Sequence, residues 1–287
     1  MKWDEMRQSD NVEDERGSSG QAPRQAIGKV GLGTIAIAVL AGLIFRVNPL
    51  EILGLVSGNS TAPVQQTQTK PINDRDSAFV RSILGDTEDT WNRIFQQQLK
   101  ARYQPPKLVL FRNAVNSACG SAQTESGPFY CPADQKVYLD MAFFEHLQAT
   151  ATGNDADFAK AYAIAHEVGH HIQTILGTSG QVRQLQSTSS KAKANELSVR
   201  VELQADCYAG VWGHFTAQRG LIGDRDIAKA LDTATQIGDD YLQKQAQGHV
   251  VPESFTHGTS QQRVTWFRRG LESGDIKQCD TFSVNRL

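Results

Sequence analysis

The chain has 287 residues, 21% of them charged and 39% hydrophobic, and 29 Lys and Arg against 31 Asp and Glu give a formal net charge of −2. That balance excludes wholesale disorder, which needs low hydrophobicity and high net charge, and it excludes a dedicated nucleic-acid binder, which carries a strong basic excess. A mean hydropathy of −0.40 excludes a multi-span membrane protein but leaves room for one span.

Residues 1–26 read as a polar N-terminal tail. Val30 to Phe45 are uncharged and bracketed by Lys29 and Arg46. At about 1.5 Å per residue they reach roughly 24 Å, and Ile27 and Val47 extend the run, so a transmembrane helix is expected over 27–47. Lys2, Arg7, Arg16, Arg24 and Lys29 precede it, against Arg46, Lys70 and Arg75 after it. This asymmetry favours a cytoplasmic N-terminus, a single pass through the inner membrane, and a periplasmic or extracytoplasmic bulk. Cys119, Cys131, Cys207 and Cys279 all follow the run, as disulfides in an oxidising compartment would. Cys119 and Cys131 flank a Gly/Ser/Pro-rich stretch that can fold back, which leaves Cys207 to pair with Cys279. Residues 48–75 are polar, with Pro63 and Pro71, and read as a linker.

Residues 76–287 then form one domain. Phe79, Ile83, Trp91, Phe95 and Leu99 recur at helical steps, so Asp76 to Tyr103 is expected as a helix, stopped by Pro105 and Pro106. Lys107–Arg112 and Gln135–Leu139 read as strands, Asn113–Pro132 as a loop, and Met141–Leu147 as a short helix. Further helices are expected over Ala156–Leu176, Lys191–Gln218, Asp224–Gln245 and Ser260–Leu271, with Thr178–Ser190 a polar loop. The class is α+β, mostly helical with a small sheet.

The string His166-Glu167-Val168-Gly169-His170 lies inside one of these helices. Residues four apart are about 40° apart around a helix, so both imidazoles can reach one zinc ion, and Glu167 can take a proton from water there. His171 points about 140° from His166 and is a poor third ligand. Catalytic zinc has three protein ligands. Glu202, on the next long helix, can complete the set, and Asp206, one turn on, can accept a hydrogen bond from a ligand histidine. Glu196 and His214 are alternatives on other faces of that helix.

HEVGHH, VELQADCYAGVW (Val201–Trp212), SFTHGTSQQRVTWFRRGLESGD (Ser254–Asp275), the terminal CDTF and GPFYCPADQKVYLD (Gly127–Asp140) together resemble the bacterial YpfJ-type neutral zinc metallopeptidase family. The resemblance implies a membrane-anchored, zincin-like metallopeptidase domain acting on a peptide or protein. It implies one Zn2+ on His166, His170 and Glu202, with Glu167 as general base. In a zincin the strand at the sheet edge beside the motif helix can pair with an extended peptide, and Lys136–Asp140 is the candidate here. A donor to the developing oxyanion is also needed; His257 is the first candidate, with Tyr241 and His249 behind it. The competing readings are a non-catalytic, zinc-stabilised binding protein on the membrane, a zinc hydrolase of non-peptide amides, and a metal-free structural protein.

Overall fold

A computed structural model describes residues 1–16, 74–123, 127–142, 144–145, 155–236, 238–284 and 287. The span expected at 27–47 and nearly all of the expected linker lie outside these residues. Among the described residues no helix is long and apolar enough to cross a membrane.

Mostly helices with one small sheet make up the structure, as the periodicities imply. The sheet takes strands β1 (Val12–Asp14), β2 (Lys107–Phe111), β5 (Phe129–Cys131) and β6 (Lys136–Asp140) in the order β1-β2-β6-β5. β1, β2 and β6 run parallel, and β5 pairs antiparallel at the edge. Leu108, Leu110, Val137 and Leu139 are buried against the helices, while Val109, Phe111 and Tyr138 fill a smaller cluster on the other face with Cys131. The stretch read as a loop contains instead a hairpin of β3 (Ala114–Ser117) and β4 (Gly120–Gln123). Its strands, AVNS and GSAQ, bury little beyond Val115, so they carry almost no apolar alternation to announce them.

Helix α1 (Arg75–Ile94) continues as a wider turn over Phe95–Leu99 and ends at Lys100 in the left-handed region. α2 (Asp155–Ile175) and α4 (Lys191–Gln218) are the two long central helices, and α7 (Ser260–Ser273) packs on α4. The polar segment after α2 is helix α3 (Thr178–Ser187) rather than a loop. Only Val182 of α3 is buried, and the helix is held by Gln186, which donates to Ala194 O and Ser198 Oγ. The expected helix over 224–245 is two, α5 (Asp224–Gln236) and α6 (Asp239–Gln247). They part at Gly238, where a Cβ would stand 2.2 Å from Ser260 N.

Trp91 and Trp212 anchor the core; Trp91 meets Tyr208 edge-on and Trp212 stacks on Phe158. Burial of each such side chain contributes on the order of 1.5–3 kcal/mol. Asp86 of α1 accepts from Trp212 Nε1 and Thr216 Oγ1 and pairs with Arg219, so a buried carboxylate locks α1 to α4. Both expected disulfides form, Cys119–Cys131 and Cys207–Cys279. The second ties α4 to the C-terminal turn Ile276–Cys279.

Met1 to Arg16, read from sequence as part of a separate tail, is built into this domain. β1 lies in register on β2, Val12 beside Leu108 and Asp14 beside Leu110. Met6 and Val12 join the core. Glu88 of α1 is buried and accepts from Ser9 Oγ at 2.6 Å, Asn11 Nδ2 at 2.8 Å and Arg7 Nη2 at 2.7 Å. A chain beginning at Asp74 leaves Glu88 without these partners and bares the β2 edge. Losing the partners of one buried charge costs about 3 kcal/mol, so such a chain is expected to melt roughly 6–12 °C lower in a thermal scan. Synthetic peptide 1–16 added in trans should restore the loss in a saturable way, and an unshifted melting temperature would show that β1 contributes nothing.

Candidate metal centre

Helix α2 presents two faces. Ala161, Ile164, Ala165, Val168 and Ile172 are buried among the sheet and helices, while His166 and His170 turn toward α4. The glycine inside the motif sets the distance between the helices. A Cβ on Gly169 would lie 3.0 Å from Ala205 O and 3.1 Å from Ala205 Cα. Glycine costs roughly 0.5–1 kcal/mol in a helix interior, but here it lets α2 press on the backbone of α4 between Glu202 and Asp206.

That approach brings the three expected ligands together. His166 Nε2 is 3.2 Å from Glu202 Oε2, and His170 Nε2 is 3.5 Å from Glu202 Oε1. One donor atom from each of the three lies within 4.8 Å of the others. Donors 2.0–2.1 Å from a tetrahedral zinc are about 3.3–3.4 Å apart, so the set fits that ion. The far side of each imidazole is also tied down. His166 Nδ1 meets Asp206 Oδ1 at 2.8 Å, and His170 Nδ1 meets Gln173 Oε1 at 2.9 Å. With both Nδ1–H groups donating, both Nε2 atoms face Glu202 and are the nitrogens that would meet a metal. Gln173 is held in turn, its Nε2 donating to Val201 O and Gln204 Oε1.

Asp206 is fully buried and joins three elements. It accepts from His166 and Tyr162 of α2, and from Arg263 of α7 through Nε at 2.8 Å and Nη2 at 2.9 Å. Burial alone would raise its carboxyl, but Arg263 and His166 outweigh burial and hold it below the usual range. Burial works against charge on His166 too, yet Asp206 and Glu202 overcome it and lift its proton affinity to about 10. A field that draws a proton this strongly draws a divalent cation for the same reason. Arg263 and Gln173 were not anticipated from sequence. Gln173 stands one turn from His170, a local signal that could have found it, whereas Arg263 is brought to Asp206 only by the packing of α7 on α4. There Gly210 and Gly270 face the opposite backbones, and a Cβ on either would stand 2.0 Å from a carbonyl oxygen.

Glu167 is buried beside the ligands, and burial raises its carboxyl above the ordinary range against the pull of His170 and His166. Among the described residues it has no hydrogen-bond partner, so its oxygens are available to a water. His257 is near enough to Glu202 for each to shift the other's proton affinity. Its turn is pinned by Asp239, whose Oδ2 accepts from the backbone N–H of Thr256, His257 and Gly258 and whose Oδ1 lies 3.2 Å from His257 Nδ1. Gly258, in the left-handed region, sits against Val199 and Leu203 on either side of Glu202.

The other candidates lie elsewhere. Tyr241 and His249 are exposed. Glu196 pairs with Lys193 and Arg200. His214 bonds Leu271 O and Gln218. His171 is a buttress: its Nε2–H donates to Gln104 O at 2.7 Å, so Nδ1 must accept from Tyr130 O–H. Lys136–Asp140 is β6, an interior strand paired with β2 along its length and with β5 over Lys136–Tyr138, so it is not the edge strand expected to receive a peptide. The edge strand beside α2 is β5. Tyr130 of β5 lines a cavity of about 300 Å³ together with His170, Glu202, Gln173, Gln186 and Arg183.

A family model described as "Putative neutral zinc metallopeptidase" matches residues 1–282. The uncharacterized protein YpfJ of Escherichia coli (strain K12) is 48% identical over 98% of this chain and 99% of its own. The uncharacterized protein Mb2605 of Mycobacterium bovis is 38% identical over 73% of each chain. No solved structure matches.

Because Asp206 and Gln173 orient the two imidazoles, Asp206→Asn and Gln173→Ala are each expected to weaken zinc binding roughly 10–100-fold in a chelator competition. Wild-type affinity in both variants would remove these residues from the site.

Proposed function

This chain belongs to the neutral zinc metallopeptidase family, and on that premise we propose that it hydrolyses peptide bonds at a single zinc ion, in a zincin-like domain. His166, His170 and Glu202 hold the ion. The observation that carries the reading is the convergence of their donor atoms, with each histidine Nδ1 engaged elsewhere so that Nε2 faces the third ligand. When bound, zinc supplies Lewis acidity, bringing the pKa of a water toward about 7 and polarising a carbonyl.

The chain's own residues supply the proton transfers. The Glu167 carboxylate takes the proton of the attacking water and delivers it to the nitrogen of the leaving amine. Its burial keeps its proton affinity above that of a surface glutamate, nearer the working range of a base. Burial works against charge on His257, but Asp239 at its Nδ1 and Glu202 nearby raise its proton affinity, and the protonated ring donates its Nε2–H to the carbonyl oxygen as charge develops there. A purely structural zinc site has no use for a buried carboxylate without a partner, which is why Glu167 favours catalysis over a binding role.

The cavity beside the ligands points to a substrate preference. Arg183 on its wall has no ion-pair or hydrogen-bond partner among the described residues, and Glu202, a metal ligand, is the only acid on that wall. A carboxylate side chain entering there meets an uncompensated guanidinium.

Metal analysis and peptide-library digestion of the full chain test the reading. One zinc per chain is expected. Glu167→Gln should keep the metal and lose roughly 10²–10⁴-fold in rate, and His257→Ala should lose roughly 10²–10³-fold with zinc content unchanged. Full activity of Glu167→Gln on a peptide that the wild type cleaves would remove it as the base. In the same digests the wild type should favour Asp or Glu beside the scissile bond. Arg183→Glu should reverse that preference toward Lys or Arg, and an identical cleavage profile would dismiss the arginine as a selector.

A further inference from the structure

The first sixteen residues bear on how the chain meets a membrane. Their attachment to the domain is extensive and partly buried. The N-terminal amine donates to Asp226 at 2.8 Å, and Lys2 N donates to Leu221 O. Arg7 pairs with Glu88 and Asp89, and its carbonyl oxygen lies 2.2 Å from where a Cβ of Gly85 would be, so only glycine in α1 admits this backbone. Ser9 N donates to Arg81 O, Leu108 N to Asn11 O and Glu15 N to Leu110 O. Glu13 bridges Lys107 at 2.6 Å and Lys136 at 2.7 Å, one from each of the next two strands.

The segment ends at Arg16, whose side chain is 1% exposed. Its Nη1 lies 2.6 Å from Oδ2 of Asp74, the residue that caps α1. Arg16 and Asp74, the residues on either side of the stretch 17–73 in which the span is expected, therefore stand one ion pair apart. A chain that crosses a bilayer once between Arg16 and Asp74 puts these two residues on opposite faces, about 30 Å of hydrocarbon apart. The contacts above cannot form across that distance.

The cations of the docked segment have carboxylate partners of their own. Three of the five cations ahead of the run are engaged within the domain: Lys2 with Glu5, Arg7 with Glu88 and Asp89, and Arg16 with Asp14 and Asp74.

We propose that Met1–Arg16 and the metal centre lie on the same side of any membrane that the intervening residues enter, with β1 of the docked segment completing the sheet of the folded domain. The two disulfides make that shared side the oxidising one. The proposal does not depend on peptidase activity.

Thiol labelling of the full chain in intact cells tests this. Gln8 and Gln184 are exposed, one on the docked segment and one on α3. Gln8→Cys and Gln184→Cys, made separately, are treated with a membrane-impermeant maleimide before and after permeabilisation, with the parent chain as background. Asp10→Cys serves as a second reporter on the segment if Gln8→Cys accumulates poorly. The two positions are expected to label alike, both before permeabilisation. Labelling of both only after permeabilisation keeps the shared side and overturns its assignment as oxidising. Labelling of one position without the other overturns the proposal.

Discussion

A carboxylate with no access to water sits where three parts of the chain meet, and its need for partners organises the centre of the molecule. Asp206 is stable as an anion only because Arg263 donates two hydrogen bonds to it and His166 and Tyr162 supply the rest. The partners arrive from two places: two from the motif helix, one from a helix more than fifty residues on. The same contact that neutralises Asp206 fixes the tautomer of His166. Stability of the core and orientation of a ring that could hold a metal are thus one interaction.

Such a junction needs helices that come unusually close, and glycine makes this possible at three points. Gly169 lets α2 rest on the backbone of α4 at Ala205, while Gly210 and Gly270 let α4 and α7 touch carbonyl to Cα. The short distance between α2 and α4 brings Glu202 to the two histidines. The short distance between α4 and α7 puts Arg263 on Asp206. Larger side chains would add local helix propensity and separate the groups the site has to combine.

Around this centre the sheet and turns have supporting roles. Tyr130 of β5 reaches His171 on the motif helix, and the Asp239 carboxylate gathers three backbone N–H groups to hold His257 over the ligand helix. On the far edge, the N-terminal segment closes the sheet and satisfies Glu88, so elements at both ends of the chain contribute to one folded unit.

Local chemistry was legible in the sequence. The HEVGH string specified two imidazoles on one helical face and a carboxylate between them, because residues four apart on a helix always share a face. The i,i+4 pair Glu202 and Asp206 followed from the same geometry, and so did the long helices and the class. Weakly patterned segments misled: AVNS and GSAQ form a hairpin and α3 forms a helix through contacts made elsewhere in the chain. The helix expected over 224–245 divides because Gly238 meets Ser260. Tertiary structure alone chose β5 over β6 as the free edge, delivered Arg263 to Asp206, and returned Arg16 to Asp74. Each of these is a meeting of residues distant in sequence, and periodicity, a property of neighbours along the chain, carries no information about it.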